Sequence, residues 1–282
     1  MYEVHPIDSI DDPRLVPYRT MRRQFDHFAQ EIFIAEGEKV VHRLLETSIP
    51  MISLVMPERE VAQFEAQLRQ RSEQISVFTA PKPVLEKLTG FQLYRGVLGL
   101  AKVPPASTLD QILSTGSSPR LFVALDGLSN AENLGSVVRN AVAFGVQGLL
   151  LNAACAPPYL RRAVRSSMGT IFKVPYMQTT DLPKALQELS RLGVRIIAAH
   201  PHTTEKTVTE ATFATDCCVV FGSEGHGLSD ELLKVCDQIV AIPMQHGTDS
   251  LNVGSASAVF LYEVQRQRVS ALSTDNRPPT RL

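Results

Sequence analysis

The chain has 282 residues, of which 44% are hydrophobic and 20% are charged. It therefore has enough apolar material for a core and enough length for two ordinary domains, which excludes a disordered tail. Its 28 basic and 29 acidic residues give a formal net charge of −1, which argues against a uniformly basic nucleic-acid-binding protein. A nucleic-acid partner would have to bind to local basic patches.

The four cysteines favour neither a zinc site nor a disulfide-stabilised domain. No two of them have the Cys-x-x-Cys spacing, and adjacent cysteines such as Cys217 and Cys218 rarely bridge one another. The first thirty residues are rich in charge and proline, and no stretch approaches the roughly 20 apolar residues of a membrane span. We therefore expect reduced thiols, no metal, no membrane contact and a cytoplasmic protein.

The first hundred residues alternate helix and strand signals, which predicts a small α/β domain. Helical spacing of apolar residues and short apolar runs predict helices at 37–47, 61–68 and 84–88 and strands at 52–56, 75–78 and 96–103. Residues 104–119 concentrate Pro, Ser, Thr and Gly, and the C-terminal residues are polar and proline-bearing. We expect a first domain at 1–106, a linker at 107–119 and a flexible tail at 271–282.

The segment 120–270 predicts a mostly parallel sheet with helices on both faces, because nearly continuous apolar strands alternate with amphipathic helices. The strands are predicted at 121–125, 148–151, 194–199, 217–221 and 239–242, and the helices at 134–144, 182–192, 229–236 and 253–268. Ligands bind outside the carboxyl ends of the strands in such sheets. The residues just after each strand are therefore the candidates for a functional site.

The first candidate segment is 126–141, which follows the first of these strands. Asn133 stands at the start of the predicted helix and Arg139 follows six residues later, so their side chains project from neighbouring faces. Taken alone, this segment favours a capping asparagine and a solvated arginine.

The second candidate segment is the glycine-rich stretch 221–228, which contains Glu224. Its three glycines allow a close approach of the backbone to a ligand, although a plain turn before a helix capped by Ser229 would also explain them. Leu228 stands where a phosphate-binding loop needs lysine, and no GxGxxG or GxSxG motif follows a predicted strand. These observations argue against a nucleoside-triphosphate hydrolase, an ordinary dinucleotide-dependent oxidoreductase and an α/β-hydrolase.

The third candidate segment is 242–262, in which Ser250 and Asn252 stand directly before an apolar helix. Because that helix is apolar on most sides, we expect it to be buried from its start. The side chains of Ser250 and Asn252 would then need hydrogen-bond partners, since an unsatisfied buried polar group costs about 1–3 kcal/mol.

Together, the three segments resemble the three signature motifs of the SpoU (TrmH-like) RNA ribose 2′-O-methyltransferases of the SPOUT superfamily. The matching residues are Asn133, Gly135, Arg139, Asn140 and Ala141 in the first motif, Gly222, Glu224, Gly225, Gly227 and Leu228 in the second, and Ile242, Pro243, Met244, Gly247, Ser250, Leu251, Asn252 and Val253 in the third. Residues 33–41 and 88–100 are similar to the two ends of the L30e-like substrate-binding domain of many members, and 161–169 also resembles the family. Two departures, Ala131-Glu132 in place of a common proline and Gly254 in place of a common serine, affect local backbone only.

The resemblance implies a trefoil-knotted C-terminal domain, S-adenosylmethionine as cofactor and a homodimer. The residues implied in cofactor binding are Phe221, Gly222, Ile242, Met244, Leu251 and His200, and those implied in catalysis are Asn133, Arg139, Glu224, Ser250 and Asn252. Because an arginine guanidinium keeps its proton at neutral pH, we expect Arg139 to orient the ribose and its phosphate rather than act as a base.

Two arginine clusters are candidate RNA contacts, and ordinary solvated surface is an equally good interpretation of both. The clusters are Arg161, Arg162 and Arg165, and Arg22 and Arg23. His200 and His202 resemble a metal pair but lack a third ligand, so we assign no metal.

The L30e-like segment favours ribosomal RNA over tRNA as the substrate. Two other interpretations stay open: a catalytically silent RNA-binding or ribosome-assembly factor with the same fold, and an enzyme that acts on another substrate.

Overall fold

The computed structural model of the chain describes residues 1–89, 96–114 and 116–275. It consists of two compact units. Unit 1 comprises Met1–Pro105 and Pro157–Phe172, and unit 2 comprises Ala106–Ala156 and Lys173–Leu282. In the described ranges, no helix has the length and apolar character needed to span a bilayer.

The strands form one sheet in each unit. In chain order they are β1 (Tyr2–Pro6), β2 (Ile32–Glu36), β3 (Met51–Met56), β4 (Ile75–Thr79), β5 (Leu98–Lys102), β6 (Leu121–Leu125), β7 (Gly148–Asn152), β8 (Tyr176–Thr179), β9 (Arg195–Ala199), β10 (Lys206–Thr207), β11 (Cys217–Phe221) and β12 (Gln238–Ala241). 

The helices alternate with these strands along most of the chain. They are α1 (Val16–Arg19), α2 (Gln24–Ala29), α3 (Glu38–Leu45), α4 (Val61–Gln70), α5 (Lys82–Thr89), α6 (Leu109–Leu113), α7 (Ala131–Ala143), α8 (Arg161–Ser166), α9 (Leu182–Arg191), α10 (Asp230–Val235) and α11 (Val253–Asp275).

Unit 1 is built on a mixed five-stranded sheet in the order β1-β4-β3-β5-β2. β1, β4 and β3 run parallel, whereas β5 pairs antiparallel with β3 and β2. The segment of α3 folds as a helix because helical spacing places its apolar residues on one face, which is buried. These residues are Val40, Val41, Leu44 and Leu45. The predicted α/β character of this region is confirmed.

Unit 2 is built on a parallel seven-stranded sheet in the order β10-β12-β9-β11-β6-β7-β8. All residues of β6 and β11 are buried, because α6, α9 and α10 pack on one face of the sheet while Phe260 of α11 contacts Phe221 from the other. The prediction of a mostly parallel sheet with helices on both faces is confirmed.

Some boundaries differ from the sequence-based expectations. Within the predicted linker, residues 109–113 form α6, whose start is closed by a reciprocal capping box between Thr108 and Gln111. α11 continues to Asp275, into the segment expected to be a tail, and residues 276–282 lie outside the described residues. Residues 157–172, which we expected in the second domain, pack within unit 1, where α8 lies against β2.

Candidate functional site

A pocket of about 360 Å³ lies in unit 2 at the carboxyl ends of β9, β11 and β12, the edge of the sheet where ligands are expected. Three neighbouring strands of a parallel sheet end there, so their following residues meet although they are far apart in the chain. The sequence-predicted residues that line the pocket are His200, Phe221, Gly222, Ile242, Met244 and Leu251, together with Glu224 and Ser250.

The loop after β11 is closed on itself by main-chain hydrogen bonds. Ser223 N–H donates to Gly227 O at 3.1 Å, and Gly227 N–H donates to Ser223 O at 3.0 Å. A Cβ at Gly222 would overlap the backbone of Gly227 and would lie 2.6 Å from Leu228 N, and Gly227 itself has a φ of +67°. The loop therefore requires glycine at position 222, and the left-handed backbone favours glycine at position 227.

The polar residues of the three segments meet at Glu224. Its Oε1 accepts hydrogen bonds from Asn133 Nδ2 at 2.6 Å and from Asn252 Nδ2 at 2.8 Å. Asn252 Nδ2 also approaches Asn133 Oδ1 at 3.1 Å. One carboxylate oxygen thus joins the start of α7, the loop after β11 and the start of α11.

The starts of the two helices position the asparagines. α7 begins at Ala131 and is capped by Asn130, whose Oδ1 accepts the N–H groups of Glu132 and Asn133. The interpretation of Asn133 as the capping residue is therefore wrong, and its amide is free to bond with Glu224. Asn252 Oδ1 accepts Gly254 N–H at 2.9 Å while its amide nitrogen points to the cluster.

α11 is buried at its first residues, Val253 and Gly254, as expected, but the residues directly before it are exposed. Ser250, Leu251 and Asn252 are all accessible, because they border the open pocket rather than the core. Gly254, by contrast, is packed so closely against α7 that a Cβ there would lie 3.0 Å from Ser136 Cβ. Close packing of the two helices thus explains the glycine at this position.

Arg139 lies on the exposed side of α7, and its side chain makes no hydrogen bond or ion pair with any residue in the described ranges. The next residue, Asn140, faces inwards and donates from Nδ2 to Gly254 O at 2.7 Å and to Ser257 Oγ at 3.0 Å. The structure therefore joins Asn133 with Glu224 and Asn252, and leaves the Arg139 guanidinium outside this cluster.

One residue of the pocket wall, Phe260, was not among the sequence-predicted site residues. Phe260 of α11 lines the pocket and contacts the Phe221 ring edge-on, with 5.7 Å between ring centroids. The apolar periodicity of the α11 segment predicts that Phe260 is buried. It does not show whether the residue lies in the core or in the wall of a pocket. Asp126 N–H donates to Phe221 O at 2.9 Å, and burial raises the pKa of the Asp126 carboxyl.

The arginine candidates for RNA contacts all lie in unit 1 and differ from one another. Arg161 forms a buried ion pair with Glu36, so its guanidinium is used internally. Arg165 is exposed over 62% of its side chain and contacts the same carboxylate at 3.4 Å. The side chains of Arg22, Arg23 and Arg162 are exposed.

The two histidines do not form a metal pair in this structure. His200 Nδ1 accepts the main-chain N–H of His202 at 3.3 Å. Across the described part of the chain, no group of three His, Cys, Asp or Glu side chains is arranged to hold a metal ion.

Residues 120–262 match the model of the SpoU rRNA Methylase family. An uncharacterized tRNA/rRNA methyltransferase of Mycobacterium bovis is 35% identical over 271 residues, which cover 94% of this chain and 92% of the relative.

Solved structures align along nearly the whole chain. An AdoMet-bound rRNA methyltransferase from Sinorhizobium meliloti aligns with a TM-score of 0.78 at 24% identity, covering 93% of this chain and 98% of that chain. An RNA 2′-O ribose methyltransferase aligns with a TM-score of 0.75 at 25% identity, covering 95% of this chain and 100% of that chain. Since the family model spans the whole polar cluster and the mycobacterial relative matches over nearly its full length, the chain belongs to the SpoU rRNA methylase family of RNA methyltransferases.

Proposed function

We propose that this protein transfers the methyl group of S-adenosylmethionine to a ribose 2′-hydroxyl of RNA, with ribosomal RNA as the substrate. The observation that carries the proposal is the convergence of three separate segments on one pocket through the shared oxygen of Glu224. The tRNA/rRNA methyltransferase name of the mycobacterial relative supports RNA as the substrate class.

The pocket suits a cofactor that contains a nucleoside. Phe221 and Leu251 supply apolar walls, and the loop geometry that forbids a side chain at Gly222 leaves main chain bordering the pocket. A flat adenine can be held between apolar walls and satisfied by main-chain N–H and C=O groups. When bound, S-adenosylmethionine supplies an activated methyl group on a sulfonium centre. The residues that we assign to holding it are Phe221, Gly222, Ile242, Met244, Leu251 and His200.

The polar cluster positions the reacting groups. Because Glu224 Oε1 accepts both amides, the side chains of Asn133 and Asn252 are held at fixed orientations beside the pocket. We assign to Glu224 and Ser250, which both line the pocket, the contact with the ribose. Holding a nucleophilic hydroxyl in line with its methyl donor accounts for a large part of such a rate enhancement.

Arg139 completes the site from a second copy of the chain. Its exposed guanidinium lies outside the Glu224 cluster, so it is available to a phosphate and ribose bound at the partner's pocket. A guanidinium binds phosphate through two parallel hydrogen bonds, and this would orient the adjacent 2′-hydroxyl. The hydroxyl proton would leave late in the transfer, through that phosphate, and S-adenosylhomocysteine would be the leaving group.

A methyl-transfer assay tests the proposal directly. Purified protein with tritiated S-adenosylmethionine and unmodified ribosomal RNA should incorporate label into RNA, and mapping of 2′-O-methyl sites in cells with and without the gene should show the loss of a ribosomal site. Label in tRNA alone would replace ribosomal RNA by tRNA as the substrate. Binding of RNA without any incorporation would favour a silent assembly factor.

The role of Arg139 has its own test. We expect Arg139→Ala to reduce the single-turnover rate by about a hundredfold or more while leaving the affinity for S-adenosylmethionine nearly unchanged. Arg191→Ala, which removes an exposed arginine from α9, is the matched control. Full activity of Arg139→Ala would exclude a catalytic role for this residue.

A further inference from the structure

An exposed aromatic ring stands among the arginines of unit 1. Phe25 in the first turn of α2 is 62% exposed, whereas His27 of the same short helix is buried. Arg22 and Arg23 directly precede this turn and are exposed, and Asp26 is the one acidic residue between positions 22 and 30. A large apolar ring is therefore held in water within a mainly basic segment.

A hydrogen bond joins this segment to the second arginine cluster. Gln24, which lies between Arg23 and Phe25, accepts the main-chain N–H of Arg162 through its Oε1 at 3.2 Å. The first turns of α2 and α8 are thus close enough for one glutamine side chain to bridge them. Both helices belong to unit 1, so the contact is internal to that unit.

The arginines of α8 divide into one structural and two accessible residues. The carboxylate of Glu36 forms an ion pair with the buried Arg161. Its other oxygen, Oε1, lies 3.4 Å from Nη1 of Arg165. Arg162 and Arg165 lie three residues apart on one helix face and are exposed, while Ala163 and Val164 between them are buried. Arg162 lies beside the turn that carries Phe25, and Arg22 and Arg23 directly precede that turn in the chain.

We propose that Phe25 is a base-stacking residue, and that the surface formed by Arg22, Arg23, Phe25, Arg162 and Arg165 binds an unpaired nucleotide of the substrate RNA. This inference rests on the proposed RNA methyltransferase function and names the part of the substrate that unit 1 recognises. Arginines attract the phosphate backbone, and an exposed aromatic ring adds the stacking that unpaired bases offer and paired bases do not.

Binding of a model RNA by the full-length protein tests the stacking. The probes are a fluorescein-labelled RNA hairpin with 2-aminopurine in its unpaired loop and the fully paired duplex of the same stem. Stacking tolerates any sequence, so the probe need not be the natural target. The variants are Phe25→Ala, Phe25→Trp and the control Val4→Ala, which shortens an exposed apolar side chain of β1.

We expect Phe25→Ala to weaken hairpin binding by about tenfold to a hundredfold and to abolish the change in 2-aminopurine fluorescence. Phe25→Trp should restore both, and duplex binding should be the same for all variants. Hairpin binding by Phe25→Ala equal to that of Val4→Ala would overturn the proposal, as would a wild-type protein that does not bind the hairpin. A changed molar mass of Phe25→Ala with unchanged RNA affinity would instead identify Phe25 as a protein contact and overturn it.

The failure of this proposal is distinguishable from the failure of the proposed function. Calorimetric titration with S-adenosylmethionine and methyl transfer to ribosomal RNA by the wild-type protein report on the function without involving Phe25. A wild-type enzyme that methylates RNA alongside a Phe25→Ala variant with full hairpin affinity would exclude only the stacking role.

Discussion

Glu224 is the residue on which the geometry of the site depends most. One of its carboxylate oxygens accepts both asparagine amides, and hydrogen bonds to an ionised acceptor are roughly twice as strong as neutral ones. The residue is nevertheless exposed, so the core does not depend on it. A change at Glu224 should therefore affect catalysis much more than folding.

We expect Glu224→Ala to lower the rate of methyl transfer by at least about tenfold and to change the free energy of unfolding by less than about 1 kcal/mol. Glu224→Gln keeps one acceptor oxygen and should retain more activity than the alanine variant. Single-turnover kinetics and urea unfolding measure the two effects. Glu231→Ala, an exposed glutamate of α10, serves as the control, and equal activities of the two alanine variants would contradict the expectation.

A second carboxylate, Glu73 in unit 1, contributes to stability in a pH-dependent way. It accepts Met51 N–H at 3.0 Å and the Nε–H of Arg71 at 3.0 Å. Burial by itself would raise the pKa of Glu73, but the hydrogen bonds from Arg71 and Met51 outweigh it and lower the pKa to about 2. A carboxyl with a lowered pKa stabilises the folded state above its unfolded pKa near 4.5 and loses that contribution as the pH falls toward 2.

We expect Glu73→Gln to lower the free energy of unfolding by about 1–3 kcal/mol at neutral pH, and by progressively less as the pH falls below about 5. Urea unfolding across this pH range measures the difference from the wild type. Glu46→Gln, at an exposed position of the same unit, is the control. A loss that stays constant with pH would show that the Glu73 charge does not stabilise the fold.

At the scale of elements, the loop between β11 and α10 carries the strictest local requirement. Gly222 and Gly225 belong to the same loop but have opposite surroundings. A Cβ at Gly222 would overlap the backbone of Gly227, whereas a Cβ at Gly225 would meet nothing within 4 Å. The backbone of Gly227 cannot rotate away as the end of a flexible side chain can. A side chain at position 222 would therefore force the loop to open.

We expect Gly222→Ala to destabilise the protein by about 1–3 kcal/mol and to weaken binding of S-adenosylmethionine by at least about tenfold. Gly225→Ala should leave the free energy of unfolding near its wild-type value, which makes it the matched control for stability. Thermal unfolding and calorimetric titration give the two measurements. Similar behaviour of the two variants would show that the closed loop is not needed.

Two strands of unit 2 were predictable because they are buried on both faces. β6 and β11 were predicted with the observed bounds, because strands buried on both faces form uninterrupted apolar runs. β2 of unit 1 was missed although four of its five residues are buried. β8 and the two-residue β10 at the ends of the unit 2 sheet were also missed. Elements this short and partly exposed contain too few residues to establish a periodicity.

At the scale of the whole molecule, α11 has an accessible apolar face. The sequence predicts a buried helix, yet Val259, Tyr262 and Val269 are 37%, 58% and 55% exposed. These positions lie on one side of the helix, opposite the buried Phe260 and Leu261. Exposed apolar residues grouped on one side of a helix are typical of a protein–protein interface. This grouping supports the proposed homodimer.

We expect Tyr262→Glu to shift the protein from dimer to monomer, because burying a carboxylate in an apolar interface is costly. Light scattering coupled to size-exclusion chromatography measures the molar mass. Methyl transfer should fall with dissociation, since Arg139 is proposed to act at the partner's pocket. Leu192→Glu, at an apolar position after α9 that is 54% exposed, is the control, and a dimeric Tyr262→Glu would exclude this face as the interface.

The sequence by itself determined the α/β class, the order of the main strands and helices, and the three segments that carry the polar residues, because burial periodicity and motif spacing are local properties. Only the tertiary structure decided that Asn133, Glu224 and Asn252 share hydrogen bonds, that Asn130 is the cap of α7, and that Arg161 is buried against Glu36. The bonded pairs of the cluster are 28, 91 and 119 positions apart in the chain. Such contacts depend on the insertion of β11 between β6 and β9, and strand order in a sheet is set by the packing of the whole unit rather than by the pattern of any one segment.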